Sequence, residues 1–349
     1  MPADEPSVAI DAASAAARGA RGGRWEARDL APLVTLAVLV AFFSLVSEGF
    51  RRPGTILLVF DQGATLAIVA VGLTFVLICG EIDLAVGNLA VWSACLCGWL
   101  VESQWAGGKA AVDASWLLLA AVVALPLASS VLLGLVSGTL TVWSKLPSFI
   151  ITLAMMNIAM GLAKYLSGNQ TLAVPRLLEE IGNRGIALAP GYTLSYGVLL
   201  AAAAMLLGHL VLGHTRFGRY VYMTGGNREA ARLAGVRTGR VVVACLAISG
   251  LTAGIGGLIN AGRLQSATVL LNPDLLLSAV ACVVLGGTSL FGGEGGIGRT
   301  LIGVLTFRVL EVGLNRIDWI HEDARLLLMG LVLLAALVVN GMLSQRGPR

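Results

Sequence analysis

Long apolar runs recur along almost the whole of this chain and limit what it can fold into more than any other feature. A helix that crosses a bilayer needs about 20 consecutive, predominantly apolar residues. Leu33–Ser47, Ile56–Cys79 and Leu117–Trp143 are three runs on that scale in the first half alone. Hydrophobic residues make up 57% of the 349 and charged residues only 13%, where soluble domains carry roughly 25% charge. A soluble multidomain enzyme is hard to sustain on that pattern. The 44 glycines sit inside the apolar runs instead of polar linkers, as in membrane helices, which tolerate glycine and use small residues for close packing. The expected fold class is all-α, a polytopic transmembrane helical bundle of about ten spans.

Those spans read roughly as 31–47, 56–79, 84–101, 115–143, 146–166, 193–213, 241–260, 270–290, 300–316 and 325–343. The fourth is too long for one straight crossing, and Pro126 is where a kink is expected. The eighth is short of apolar length around Asn272–Pro273–Asp274, which suits a broken or re-entrant helix. Residues 1–29 are polar, rich in Ala, Arg and Gly, and lack the apolar core of a cleavable signal. They read as a disordered cytoplasmic tail ahead of a membrane domain over 30–345.

Net charge is +4, and its placement sets an expected orientation, because basic residues concentrate in cytoplasmic loops. Six arginines between 214 and 240 face a single acid, Glu229. With ten spans, that loop and both termini fall on the cytoplasmic side. Arg51 and Arg52 run against this assignment, on the outer side. No basic stripe is interleaved with exposed aromatics, so nucleic acid is not an expected partner.

The 214–240 loop is unusual for a connector. Gly225–Gly226–Asn227 reads as a turn, with Asn227 as N-cap of a short helix over Arg228–Ala234. Ala230, Ala231 and Ala234 give that helix a small-residue face. From composition alone the segment is either a solvated loop or a helix that inserts into a groove on a partner.

Between the second and third spans stands Cys79-Gly80-Glu81-Ile82-Asp83-Leu84-Ala85-Val86-Gly87-Asn88. Carboxylates and amides hydrogen-bond sugar hydroxyls well, so Glu81, Asp83 and Asn88 are candidates for contact with a polar substrate. The competing reading makes Asp83 a cap of the third helix, accepting backbone N–H groups near Val86. Asn157 in the fifth span is a further pathway candidate. Arg308 and Glu311 lie three apart within the ninth span and can meet on one face. As ionisable residues at membrane depth they are either an internal ion pair or a polar contact in a substrate path.

Several motifs carry no chemistry. Gly293, Gly295 and Gly298 fit G-x-G-x-x-G, but a nucleotide fingerprint needs a soluble βαβ unit and the flanks here are apolar runs of membrane length. No glycine-rich run ends in Gly-Lys-Ser/Thr, so any ATP hydrolysis belongs to another chain. His209, His214 and His321 are scattered. Cys79, Cys95, Cys97, Cys245 and Cys282 lie in apolar segments without metal-ligand spacing and read as buried thiols. No metal, cofactor or catalytic residue is expected, and no nucleophile–base constellation supports a membrane hydrolase.

The sequence also resembles a known family, the permease subunits of ribose/xylose-type ABC sugar importers, from about residue 50 to 340. Ala70-Val71-Gly72-Leu73-Thr74, followed by Gly-Glu-Ile-Asp-Leu-Ala-Val-Gly, is similar to the family's AVGMT…GIDLSVG signature. Pro147-Ser148-Phe149-Ile150-Ile151-Thr152-Leu153 resembles its FIATL segment. Thr215-Arg216-Phe217-Gly218-Arg219-Tyr220, with Gly225-Gly226-Asn227 and Ala234-Gly235-Val236, resembles TRxGRxxxxxGGN…A..L(S/A)G(I/V). Val283-Val284-Leu285-Gly286-Gly287-Thr288-Ser289-Leu290 and Thr300-Leu301-Ile302-Gly303 complete the match. Two departures stand out. Ala85 replaces a usual Ser, and Arg308 and Glu311 stand where relatives tend to carry small or neutral residues.

The resemblance implies the permease subunit of an importer in a bacterial cytoplasmic membrane. The partners it implies are a cytoplasmic ABC ATPase, an external sugar-binding protein and a second permease copy. It assigns ATPase coupling to Gly225, Gly226, Asn227, Glu229, Ala230, Ala231, Ala234 and Gly235, and its cargo would be a monosaccharide. An amino-acid cargo and an ion-coupled secondary transporter are the alternatives; the Gly-Glu-Ile-Asp-Leu-Ala-Val-Gly spelling argues against the first, and intramembrane Arg308 and Glu311 would suit the second.

Overall fold

The computed structural model describes residues 27–103, 106–271 and 274–317, with short stretches between 321 and 335. Most of the expected tail, Asn272 and Pro273 at the expected break, and the end of the tenth expected span lie outside the described residues. The elements in order are α1 (Ala27–Val46), α2 (Pro53–Ile78), α3 (Val86–Glu102), α4 (Lys109–Ala114), α5 (Trp116–Ser144), α6 (Ser148–Ser167) and α7 (Arg176–Asn183). There follow strands β1 (Gly185–Ala189) and β2 (Tyr192–Ser195), then α8 (Tyr196–His214), α9 (Arg216–Gly226), α10 (Arg228–Leu233), α11 (Thr238–Leu264), α12 (Leu275–Leu285) and α13 (Ile297–Asn315).

Five of these helices, α2, α5, α6, α8 and α11, are long and apolar enough to cross a membrane. Shorter apolar helices cover 31–46, 86–102 and 275–285. The structure is therefore a mainly helical, polytopic membrane protein. Among the described residues it departs from the all-α expectation at a hairpin: β1 and β2 run antiparallel, pairing Ile186 with Leu194 and Ala187 with Thr193. The sixth expected span, 193–213, accordingly begins as strand, and its helix starts at Tyr196.

Helices α2 and α11 are apolar all round, which marks helices enclosed on every side. In each, 67% of the apolar stretch is buried, against 22% in α5 and α6. So α2 and α11 form the centre, and α5, α6 and α8 turn apolar surface outwards, as helices facing lipid do. Trp116 opens α5 and Trp143 stands at its far end, both largely exposed. At 1.5 Å per residue they are about 40 Å apart, close to the roughly 40–45 Å of a bilayer with its interfacial layers. Two exposed tryptophans at that separation match the aromatic belts of membrane helices. Helix α5 continues through Pro126.

Small residues let α5 and α11 touch backbone to backbone. A Cβ on Gly134 would fall 2.4 Å from the carbonyl oxygen of Leu246, and one on Gly250 would fall 2.3 Å from that of Ser130. Without a hydrophobic drive between helices in lipid, this close packing is what binds them.

The connections sort to two ends. At one, Ser47 Oγ donates to the Arg316 carbonyl, Leu172 and Ala267 bridge, and the Arg176 N–H donates to Asp113 Oδ1. The hairpin is at this end too, with Ser195 Oγ donating to Asp61 Oδ1 at 2.7 Å. At the other end meet the loops following α2, α5, α9 and α12. Helix α12 has 11 residues, about 16 Å, well short of a bilayer core of about 30 Å. The deficit expected around 270–290 is thus present as a short helix that ends at the turn Gly286–Gly287.

Candidate functional site

Three loops lock together at the end opposite the hairpin: Cys79–Ala85, the α9–α10 junction, and Gly286–Gly296. Backbone contact does most of the locking. The Gly293 N–H donates to the Ile78 carbonyl at 2.9 Å, and Tyr222 Oη donates to the Gly295 carbonyl at 2.9 Å. Gly225 sits so close to Ile78 that a Cβ would fall 1.8 Å from its carbonyl oxygen. That close approach requires glycine at 225.

Helix α9 is capped by Thr215 Oγ1, which accepts the Gly218 N–H at 3.2 Å. It buries Gly218, Val221 and Thr224 and exposes Arg216, Arg219 and Met223. Gly225 and Gly226 close this helix instead of forming the expected turn; the break falls at Asn227, whose backbone is extended. Asn227 Oδ1 accepts the Ala230 N–H at 2.9 Å, so it caps α10 as its residue type suggests. Gly235 at φ +82° ends the motif.

Glu81 is buried, 6% exposed, and accepts from Arg228 Nη2 at 2.5 Å. This pair joins the loop after α2 to the first residue of α10. Two residues on, Asp83 is enclosed as well. Its Oδ1 accepts the Ala85 N–H at 2.9 Å and its Oδ2 accepts from Ser249 Oγ on α11 at 2.7 Å. Burial raises its carboxyl above the usual range, against the lowering effect of those two hydrogen bonds. Asp83 therefore meets the chain one residue ahead of Val86 and ties the start of α3 to α11. The loop is further pinned to α6: Ser148 Oγ accepts the Ile82 N–H, and Thr152 Oγ1 accepts the Leu84 N–H while donating to the Ile82 carbonyl.

The other sequence candidates fall elsewhere. Asn88 Nδ2 donates to the Met156 carbonyl at 3.0 Å, linking α3 to α6. Asn157 is exposed on α6 and its Nδ2 donates within its own helix, to the Leu153 carbonyl. Within the α9–α10 segment, Glu229, Ala230 and Ala234 are exposed, but Ala231 is buried at 2% in the chain's own core. Ala231 is thus not on the outward face expected of it. The most exposed apolar side chain there is Leu233, at 83%.

Arg308 and Glu311 do pair, Nη1 to Oε2 at 2.5 Å, with side chains 12% and 31% exposed. They lie in the half of α13 away from the three-loop junction. Arg308 Cγ is 3.6 Å from the position a Cβ would take on Gly63 of α2, and Asp61 and Glu311 act electrostatically on Arg263 of α11 together with Arg308. Sequence reasoning missed Asp61 and Arg263. The signal that could have found them is simply that each is a charge in or beside an apolar run, towards its hairpin end.

These features define a class: a polytopic helical membrane protein with a tightly tied, basic loop assembly at one end. Residues 55–337 match the family described as the branched-chain amino acid transport system permease component, and the chain belongs to that family. It is 32% identical over 310 residues to the ribose import permease protein of Escherichia coli K12, covering 88% of this chain and 92% of that one. The ribose import permease protein of Bacillus subtilis is 35% identical over 318 residues, covering 89% and 92%. The fructose import permease protein of Rhizobium meliloti is 32% identical over 317 residues, covering 88% and 84%. No solved structure matches.

Proposed function

We propose that this chain is the membrane-spanning subunit of an ATP-driven importer for a monosaccharide. The observation that carries the reading is the three-loop junction at the basic end of a family permease. Helix α10 stands exposed there while Glu81–Arg228 and Gly225–Ile78 tie its base to α2. A cytoplasmic ATPase that presses on α9–α10 thereby moves α2 and, through Asp83–Ser249, α11. Coupling of this kind is a difference in the partner's affinity for inward- and outward-facing states.

The monosaccharide cargo is supported by relatives named for ribose and fructose import. The family description names amino acids, so both cargo classes belong in any uptake assay. An external binding protein delivers the sugar, and a second permease copy completes the path. Glu81, Asp83, Asn88, Asn157, Arg308 and Glu311 are its pathway candidates. In the bacterial cytoplasmic membrane, ten spans put both termini and 214–240 inside; the alternation of connections between two ends supports that count.

Thiol labelling tests the orientation. All five native cysteines are buried, which keeps the background low. A cysteine at Gly226 should resist an impermeant reagent on intact cells, and one in the 173–185 loop should react. The reverse pattern contradicts the assignment.

A further inference from the structure

The transport reading leaves unused a groove on the lateral surface, between α2, α8 and α13, with a volume of about 530 Å³. Its walls run from Phe60 and Val198 near the hairpin end to Ile297 and Gly298 near the three-loop junction, and His209 alone among the lining residues is ionisable. Val198 to His209 is about 16 Å of helix at 1.5 Å per residue. That is roughly half of a bilayer core of about 30 Å, about the length of one extended acyl chain. Helices α2 and α8 are both long and apolar enough to span, so the groove opens towards lipid tails.

Apolar walls alone select nothing in a bilayer, because lipid tails are as apolar as leucine. The polar end is what distinguishes this groove. The His209 ring lies 5.8 Å from that of His214, edge to face, and both residues are exposed. Arg216 and Arg219 follow on α9, exposed as well, and Arg299 is next to Gly298 of the groove wall. Ionisable side chains within spanning helices mark functional sites by default, and basic pockets between spanning helices take anionic lipid head groups.

We infer that this groove is a binding site for an anionic phospholipid. One acyl chain lies along α2, α8 and α13, and the phosphodiester sits against His209, His214 and the arginines that begin α9. The site is independent of the cargo and of which way the junction faces.

Native mass spectrometry of the delipidated protein in mild detergent tests this, with phosphatidylglycerol and phosphatidylcholine of identical acyl chains as probes. The expected result is a phosphatidylglycerol adduct in preference to phosphatidylcholine. Removing the basic end as a whole, His209→Leu and His214→Leu together with Arg216→Gln and Arg219→Gln, should abolish the preference. Gly298→Phe should abolish the adduct itself, since a Cβ there meets no heavy atom within 4 Å and the ring enters the groove. Ala202→Phe, on the exposed wall of α8, makes the same test should Gly298→Phe not fold. Equal adducts of both lipids on the unaltered protein overturn the proposal. So does an undiminished phosphatidylglycerol adduct on a folded groove-filling variant. A groove-filling variant that converts a dimer to a monomer also overturns it, by assigning the groove to a second copy.

Discussion

Glu81 in the loop after α2 holds Arg228, the first residue of α10, through a 2.5 Å ion pair across 147 residues of sequence. The carboxylate is 7% exposed and the guanidinium 42%, so the two partners stand in different surroundings. Arg228 can return to water when the pair breaks, and Glu81 cannot.

That asymmetry makes the first prediction directional. Arg228→Ala leaves a buried acceptor without its donor, a loss of about 1–3 kcal/mol. Glu81→Gln should cost less, because it removes the buried charge along with the pair. The double variant should be more stable than Arg228→Ala alone. Thermal unfolding of the four proteins in detergent measures this, and equal midpoints for Arg228→Ala and the unaltered protein would mean that the pair contributes nothing.

Position along α10 separates fold from coupling. Ala231 is buried at 2%, so Ala231→Asp forces an unpaired charge into the core and should abolish folded protein. Leu233 is 83% exposed and projects where the ATPase is proposed to dock. Leu233→Asp should fold normally and reduce ATP-driven uptake about tenfold or more, the effect of losing an interface anchor worth about 2 kcal/mol. Unimpaired uptake by a folded Leu233→Asp variant would remove α10 from the docking surface.

The Arg308–Glu311 pair gives a third contrast. An arginine near the centre of a span costs roughly 2.5–3.5 kcal/mol on insertion scales, which Glu311 offsets. Arg308→Ala should lower the yield of folded protein by stranding Glu311, and the double change to Ala should recover part of it. Recovery should be incomplete, because Arg263 of α11 interacts electrostatically with both members of the pair. Folded yield and uptake are measured in parallel: a double variant that folds and transports makes the pair structural, and one that folds without transport assigns it to the path.

Local pattern carried the sequence reading a long way. Continuous apolar runs located the long helices, the Asn227 cap follows from residue type, and i,i+3 spacing brings Arg308 to Glu311. What stayed hidden depends on contacts remote in sequence. Gly225–Gly226 reads as a turn, yet Gly225 is glycine because Ile78 leaves no room for a side chain. Ala231 and Ala230 are the same residue type, and only packing turns one inward. Nothing local relates Glu81 to Arg228, or Arg263 to Asp61. The hairpin did leave a trace, since Pro190–Gly191 separates two short stretches with turn chemistry, but the helical reading of its neighbours absorbed it.

The energy source is the centre of the account, and reconstitution tests it most directly. The purified chain should be placed in liposomes with its ATPase and sugar-loaded binding protein, and uptake of a labelled monosaccharide followed with and without ATP. Uptake should require ATP and the ATPase and be indifferent to proton or sodium gradients. Uptake by this chain alone, driven by either gradient without ATP, would contradict it.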